Sequence, residues 1–550
     1  MQPVLRLITV CGAMAALTGC SIDEKGFPPP VKEDCASPGD EDGNGLADCE
    51  DPVCVSEPSC GPRCGNGKVE ASEVCDDGTA ASWDGCESNC TPSVLAYVKA
   101  SNTGMGDRFG HSIAMSADGL TLAVGAPFED GSAKGVNGGS NELATDAGAV
   151  YVFTRSGTTW IQQAYIKATN SETGDRFGSS VALSANGATL AVGAPLEDGG
   201  SNAVVDSGAV YVFIRVGSQW SAQAYLRAPN AEVSDRFGSS VALSGDGSTM
   251  AVGAPFEDGA SNATVDSGAV YVSTRSGTSW GQPVPVRAAV VGKADHFGSS
   301  VALTDDGATL AVGADEEDSK ANGVNGDPND NTALEAGAVY VFTSTATGWS
   351  QQSYIKASNT NPDDHFGTSV ALSGNGSTLA VGAIGEDSAA KGIGGDEGDN
   401  TAVSAGAVYM FTRNLATWSQ QAYIKASNAG AGDLFGQSVA LSANGSILAV
   451  GGPGEDSAAR TIGGNQDENT TADAGAVYMF MRNGTLWSQQ AYTKASNTDP
   501  SDNFGQSVAL SADGSLLAAG AWTEAGPATG VNGDQTLNTA PSAGAVYIYY

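Results

Sequence analysis

Asp40, Asp42, Asn44, Asp48 and Asp51 place side-chain oxygens at positions 1, 3, 5, 9 and 12 of one short acidic stretch. Gly45 at position 6 permits a sharp turn, and Leu46 at position 7 offers its backbone carbonyl. Alternate side chains of a tight coil point at one centre, so the spacing suits a hard divalent cation, and calcium is the ion expected. Position 12 is an aspartate rather than the glutamate that would chelate through both oxygens. A metal-free acidic linker is the competing reading. A second acidic set recurs downstream as Glu129-Asp130, Glu197-Asp198, Glu257-Asp258, Glu317-Asp318, Glu386-Asp387 and Glu455-Asp456, joined in later units by Asp327, Asp330, Asp396, Asp399, Asp467 and Glu468. These pairs describe either a ring of cation sites or a solvated acidic rim that favours solubility. Catalytic chemistry has little to work with. His111, His296 and His365 fall in different repeats, where they suit packing, and no zinc-ligand pair or phosphate loop occurs. No catalytic or cofactor-binding residue is expected, and the chain reads as a non-enzyme.

Charge and cysteine usage bound the setting. Asp plus Glu number 62 against 25 Lys plus Arg, a net charge of -37 that would repel a nucleic acid. All ten cysteines lie between Cys11 and Cys90. Ahead of them Arg6 precedes an apolar run, Leu7 to Leu17, which as a helix would span only about 16 Å, half a bilayer core. Such a run is a signal-peptide core rather than a membrane span. Leu17-Thr18-Gly19-Cys20 resembles a bacterial lipobox, which implies cleavage before Cys20, lipidation of its thiol and export to the outer membrane or cell surface. The lipid would be the sole membrane contact, because no other apolar run reaches the length of a span.

Residues 1–20 are thus a lipoprotein signal peptide, and 21–61 an acidic cysteine-containing linker around the cation loop. That loop resembles those of EF-hands and thrombospondin type 3 repeats, although no helical pattern flanks it. Residues 62–91 form a cysteine-rich unit. Cys35, Cys49, Cys54, Cys60, Cys64, Cys75, Cys86 and Cys90 remain after processing, an even set whose irregular spacing favours disulfides over zinc in an exported chain. The pattern from Cys64 to Cys90, with Asp76-Asp77-Gly78 and Asp84-Gly85, resembles the short cysteine-rich repeat of myxobacterial surface proteins and implies a disulfide-stapled spacer.

From residue 92 to 550 one unit recurs. Phe-Gly stands at Phe109, Phe177, Phe237, Phe297, Phe366, Phe435 and Phe504, at steps of 68, 60, 60, 69, 69 and 69 residues. Each is followed by a short apolar run, an Asp-Gly or Asn-Gly turn, a second run ending near Gly-Ala-Pro, an acidic loop, and Gly-Ala-Val-Tyr. Asp-Gly and Asn-Gly between short apolar runs are hairpin signals because they tolerate positive φ. A further run opens at Trp160, Trp220, Trp280, Trp349, Trp418 and Trp487, making four strands per unit. The seventh unit ends at Tyr550 without that strand, while Ala96–Asn102 matches Ala422–Asn428. The chain is therefore expected to be all-β: a seven-bladed propeller of four-stranded blades, closed by an N-terminal strand and preceded by a small disulfide-rich stalk.

Phe-Gly followed by Gly-Ala-Pro, as at Ala126-Pro127, Ala194-Pro195 and Ala254-Pro255, resembles the FG-GAP repeat of the integrin α-subunit propeller. The resemblance implies extracellular binding or adhesion to a protein or glycan, often with calcium in blade hairpins. The turns here, of the Ser116-Ala117-Asp118-Gly119 type, carry too few oxygens for such a hairpin, and no spacing leaves room for an inserted adhesion domain. A hydrolase or lyase at a propeller face and a passive surface-coat protein are the alternatives.

Overall fold

The computed structural model describes residues 94–139, 141–199, 202–259, 263–290 and 292–550, and among them the chain forms only strands and turns. The cation loop from Asp40 to Asp51, Cys20 and the eight stalk cysteines lie outside the described residues. Seven antiparallel sheets succeed one another along the chain, each strand pairing with the next in sequence. Blade one is Ser112–Met115, Thr121–Ala126, Ala149–Ser156 and Thr159–Ile166. Its first hairpin is held locally: Ser116 Oγ donates to Asp118 Oδ1 (2.6 Å), the Leu120 amide donates to the same oxygen (3.0 Å), and the Thr121 amide donates to Ser116 Oγ (2.9 Å). Gly119 follows at φ 65°, which an L-residue rarely adopts.

Ring closure is as the sequence implied. Val94–Val98 is the outer strand of blade seven, where Tyr97 faces Tyr547 and Val98 faces Val546. Two circles of hydrogen bonds run through all seven blades. In one, backbone amides near the first turns donate from Ala117 to Ala185, then to Gly245, Asp305, Gly374, Ala443, Ala512 and back to Ala117, each at 2.8–2.9 Å. In the other, the serine three residues after each Phe of Phe-Gly donates to the Phe-Gly carbonyl of the next blade, from Ser112 to Gly178 (2.8 Å) round to Ser507 to Gly110 (2.7 Å). The first circle narrows the axis to a cavity of about 160 Å³ lined by Met115, Leu183, Leu243, Leu372, Leu441 and Leu510.

These contacts give the repeat its physical content. Phe109 is fully buried with its ring edge-on to Tyr151 (5.4 Å) and Phe153 (6.1 Å), filling the wedge between blades. Its neighbour Gly110 takes φ 92°, and the glycine of each Gly-Ala-Pro lies where a Cβ would strike the Phe-Gly carbonyl of the following blade. Blade three departs from expectation. Its outer strand is reduced to Ser279–Trp280 and Val284–Val286, because Pro283 and Pro285 bring no amide to the ladder.

Gly382→Ala would drive a Cβ into the carbonyl of Gly436, whereas Gly139→Ala meets nothing within 4 Å. Chemical denaturation should show a loss of about 2–4 kcal/mol for the first and within about 0.5 kcal/mol of the parent for the second.

Candidate functional site

Loops between second and third strands, and those leading from an outer strand to the next inner strand, emerge together on one side of the ring, here termed the loop face. The Glu-Asp pairs lie beneath it. Glu129 is buried, and its Oε2 accepts from Lys167 Nζ (2.5 Å) and the Gly131 amide (3.0 Å). Its Oε1 accepts from Tyr165 Oη (2.7 Å) and Asn102 Nδ2 (2.8 Å), and Asn102 Oδ1 in turn accepts from Tyr151 Oη (2.6 Å). The same pairing recurs as Glu317–Lys356, Glu386–Lys425, Glu455–Lys494 and Glu524–Lys99, at 2.6–2.8 Å with lysine side chains fully buried. Burial pushes these lysines down while the adjacent carboxylate holds them up, and each glutamate accepts from three or four donors, the lysine among them. In blades two and three Arg227 and Arg287 replace lysine and stay about a quarter exposed.

The paired aspartates cap their own loops: Asp130 Oδ1 accepts from the Asp146 amide (2.9 Å) and Asp387 Oδ1 from the Ser404 amide (2.8 Å). The glutamates thus fit neither expectation, since their cation is a lysine or arginine of the same blade and they are not on a solvated rim. Among the described residues no three of His, Cys, Asp and Glu gather as a metal would require.

A second buried carboxylate was overlooked in the sequence, although it recurs seven times two residues before Phe-Gly: Asp107, Asp175, Asp235, Asp295, Asp364, Asp433 and Asp502. Each accepts from a backbone amide three residues earlier, as from Gly104 to Asp107 (2.7 Å). Burial is the main cause that raises them, opposed by that amide and reinforced by the nearby glutamate, to about 6 for Asp235, about 7 for Asp364 and about 8 for Asp502.

Above this layer the blades differ. The residue before Phe-Gly is Arg108, Arg176 and Arg236 in blades one to three, then His296, His365, Leu434 and Asn503, each at φ 53–55°. Arg108 lies over Phe128 (4.4 Å) and Trp522 (4.6 Å), Arg176 over the same Phe128 (4.7 Å), and Arg236 over Phe256 (4.3 Å). None of the three has a carboxylate within ion-pairing distance among the described residues, and Nε of Arg176 and of Arg236 is buried without a partner. His111 packs on Trp522 (5.2 Å) and is pushed down to about 4, first by burial and then by Arg108. His296 lies 3.2 Å from Glu316 and His365 lies 3.7 Å from Glu335, so the histidines stand on three blades with separate partners.

The FG-GAP repeat pattern matches residues 95–153, 160–213, 220–273, 349–411, 418–480 and 487–549. The chain belongs to the FG-GAP repeat family. Each match of this FG-GAP chain begins in one outer strand and ends in the third strand of the next blade. The stretch between the third and fourth matches holds the proline-broken strand of blade three and all but the last strand of blade four. Among solved structures, a chain of Kuenenia stuttgartiensis hydrazine synthase is similar at 14% identity and a TM-score of 0.45, covering 77% of this chain and 94% of that one. No curated protein matches.

Lys425→Met would strand Glu386 in a site where both side chains are at most 1% exposed, and should cost about 3–5 kcal/mol by denaturant titration. Adding Glu386→Gln should recover most of that loss.

The seven aspartates hold protons in the folded state that the unfolded chain gives up near the ordinary carboxylate value. Stability is then greatest at low pH within this linkage and falls as pH rises toward about 8. His111, lowered in the folded state, acts in the opposite sense but is one group against seven. The melting temperature should fall between pH 6 and 8.5, and Asp364→Asn should reduce that slope by roughly one-seventh while raising the melting temperature at pH 8.

Proposed function

We propose that this FG-GAP protein is a non-enzymatic binding propeller, exported and lipid-anchored through Cys20, that engages an extracellular protein or glycan with its loop face. The observation that carries this reading is the arc of Arg108, Arg176 and Arg236. Three guanidiniums recur at one repeat position, are stacked on aromatic rings, and have no carboxylate partner among the described residues of a chain of net charge -37. A stacked guanidinium keeps its planar N–H edge, which suits two-pronged hydrogen bonding to a carboxylate or sulfate. The acidity of the whole molecule limits that partner to isolated acidic groups, because a long polyanion would be repelled. Membership in the FG-GAP family supports a binding role, and calcium at Asp40, Asp42, Asn44, Leu46, Asp48 and Asp51 would stiffen the stalk that carries the propeller.

The test is binding of immobilised protein to defined acidic and neutral oligosaccharides and peptides, with and without chelator. Acidic ligands should bind, and Arg176→Gln with Arg236→Gln should weaken them at least tenfold. Equal binding of neutral ligands would sink the proposal, as would turnover of polysaccharides or phosphoesters, which would favour a hydrolase or lyase.

A further inference from the structure

Five of the seven blades cover their outer edge with a strap from their own loop. In blade one the Asn137 amide donates to the Tyr165 carbonyl (2.7 Å), and the Lys167 amide donates to the Gly135 carbonyl (2.9 Å). The Tyr165 amide donates to Asn137 Oδ1 (2.9 Å), and Val136 bridges Ile166. Blades four, five, six and seven repeat the strap with Val324, Ile393, Ile462 and Val531 at its centre. The next residue always has positive φ (Asn137 54°, Asn325 58°, Gly394 70°, Gly463 69°, Asn532 55°), which is why only Asn or Gly stands there.

Blades two and three, whose repeats are 60 residues long, have no strap among their described residues. Their edges are not alike. Pro283 and Pro285 interrupt the edge of blade three. The outer strand of blade two, Gln219–Leu226, runs unbroken for 8 residues. Its Tyr225 amide, Tyr225 carbonyl and Arg227 amide are the counterparts of three of the four backbone groups that the strap satisfies in blade one, and none of these three has a partner among the described residues. Tyr225 is 39% exposed where strapped Tyr165 is 6%.

An open strand edge is either blocked or used for pairing. We propose that the blade-two edge is a docking site for an extended segment of another protein, with the sequence character of the straps themselves: Gly (Thr461 in blade six), then Val or Ile, then Asn or Gly. The molecule displays this ligand five times on equivalent strands. A basic residue ahead of that first position suits an acidic chain, and the straps carry one at Lys134, Lys391 and Arg460. All five straps are engaged on their own blades, so a second copy would have to open one of its own blades to supply a segment. The inference goes beyond the arginine arc and does not rest on it.

The probe is a labelled synthetic peptide with the sequence of residues 131–139, titrated into the intact protein and followed by hydrogen exchange. Saturable binding is expected, with slowed amide exchange over residues 219–228 and none gained over 159–166. Tyr225→Pro imports the residue that blade three carries at Pro285 and should abolish binding. Methylating the peptide nitrogen that corresponds to Asn137 leaves the protein untouched and should weaken binding at least tenfold, whatever the folding of the proline variant. Absence of saturable binding, protection elsewhere, or indifference to methylation would overturn the proposal. Concentration-dependent dimerisation that protects 219–228 without peptide would also overturn it, by assigning the edge to a second copy.

Discussion

A carboxylate is taken out of water in every blade, and its donors come from different places in the chain. Around Glu129 the Gly131 amide belongs to the same loop, Lys167 and Tyr165 to the outer strand, and Asn102 to the segment that leaves the preceding blade. Burying a lone charge in such a site is prohibitive, so the glutamate tolerates only the arrangement in which all of these donors converge. A one-residue slip of the outer strand would turn Lys167 to the opposite side and leave both charges stranded. The pair contributes little net energy compared with an apolar replacement, but it excludes wrong registers. In blade seven the lysine and tyrosine are Lys99 and Tyr97, and Asn497 arrives from blade six, so ring closure obeys the same constraint.

The architecture was legible because its determinants are local. Asp-Gly and Asn-Gly turns, short apolar runs and the match of Ala96–Asn102 to Ala422–Asn428 each state a piece of backbone geometry without reference to distant residues. The role of the acidic pairs was not legible. Acids are ordinarily solvent-exposed, and the cation of Glu129 lies 38 positions away at Lys167. A signal was nevertheless present: the glutamate recurs in all seven units, with a lysine 38–39 residues on in four of them and an arginine 30 residues on in blade three, and the aspartate recurs two residues before every Phe-Gly. Residues repeated with the unit serve the unit. The broken strand of blade three was also written in Pro283 and Pro285, but the tryptophan at its start read as an intact strand.

Function in a repeat ring must come from departures, since seven identical blades would present seven identical and mutually distant sites. Here the interior barely varies, because each Phe-Gly, Gly-Ala and buried acid is fixed by contacts on several sides. Variation concentrates at the residue before Phe-Gly and the residues after Gly-Ala, where Arg, His and Asn meet Phe128, Phe256, Glu316 and Trp522 on the loop face. Asymmetry of charge is thereby laid over symmetry of backbone.

Two of these departures are coupled. Where a strap covers the outer strand, lysine is sealed from solvent beside its glutamate; where the strap is missing, in blades two and three, the cation is Arg227 or Arg287 and stays partly wet. A guanidinium can share its several N–H groups between carboxylate and water, whereas an ammonium in the same half-open site would be drawn toward full hydration. Loss of the strap therefore explains the lysine-to-arginine exchange. The same two blades supply Arg176 and Arg236, two of the three guanidiniums that have no carboxylate partner among the described residues. Blades two and three thus combine an edge without a strap, a partly wet arginine beside the buried glutamate and an unpaired guanidinium on the loop face, while the other blades are closed by their own straps.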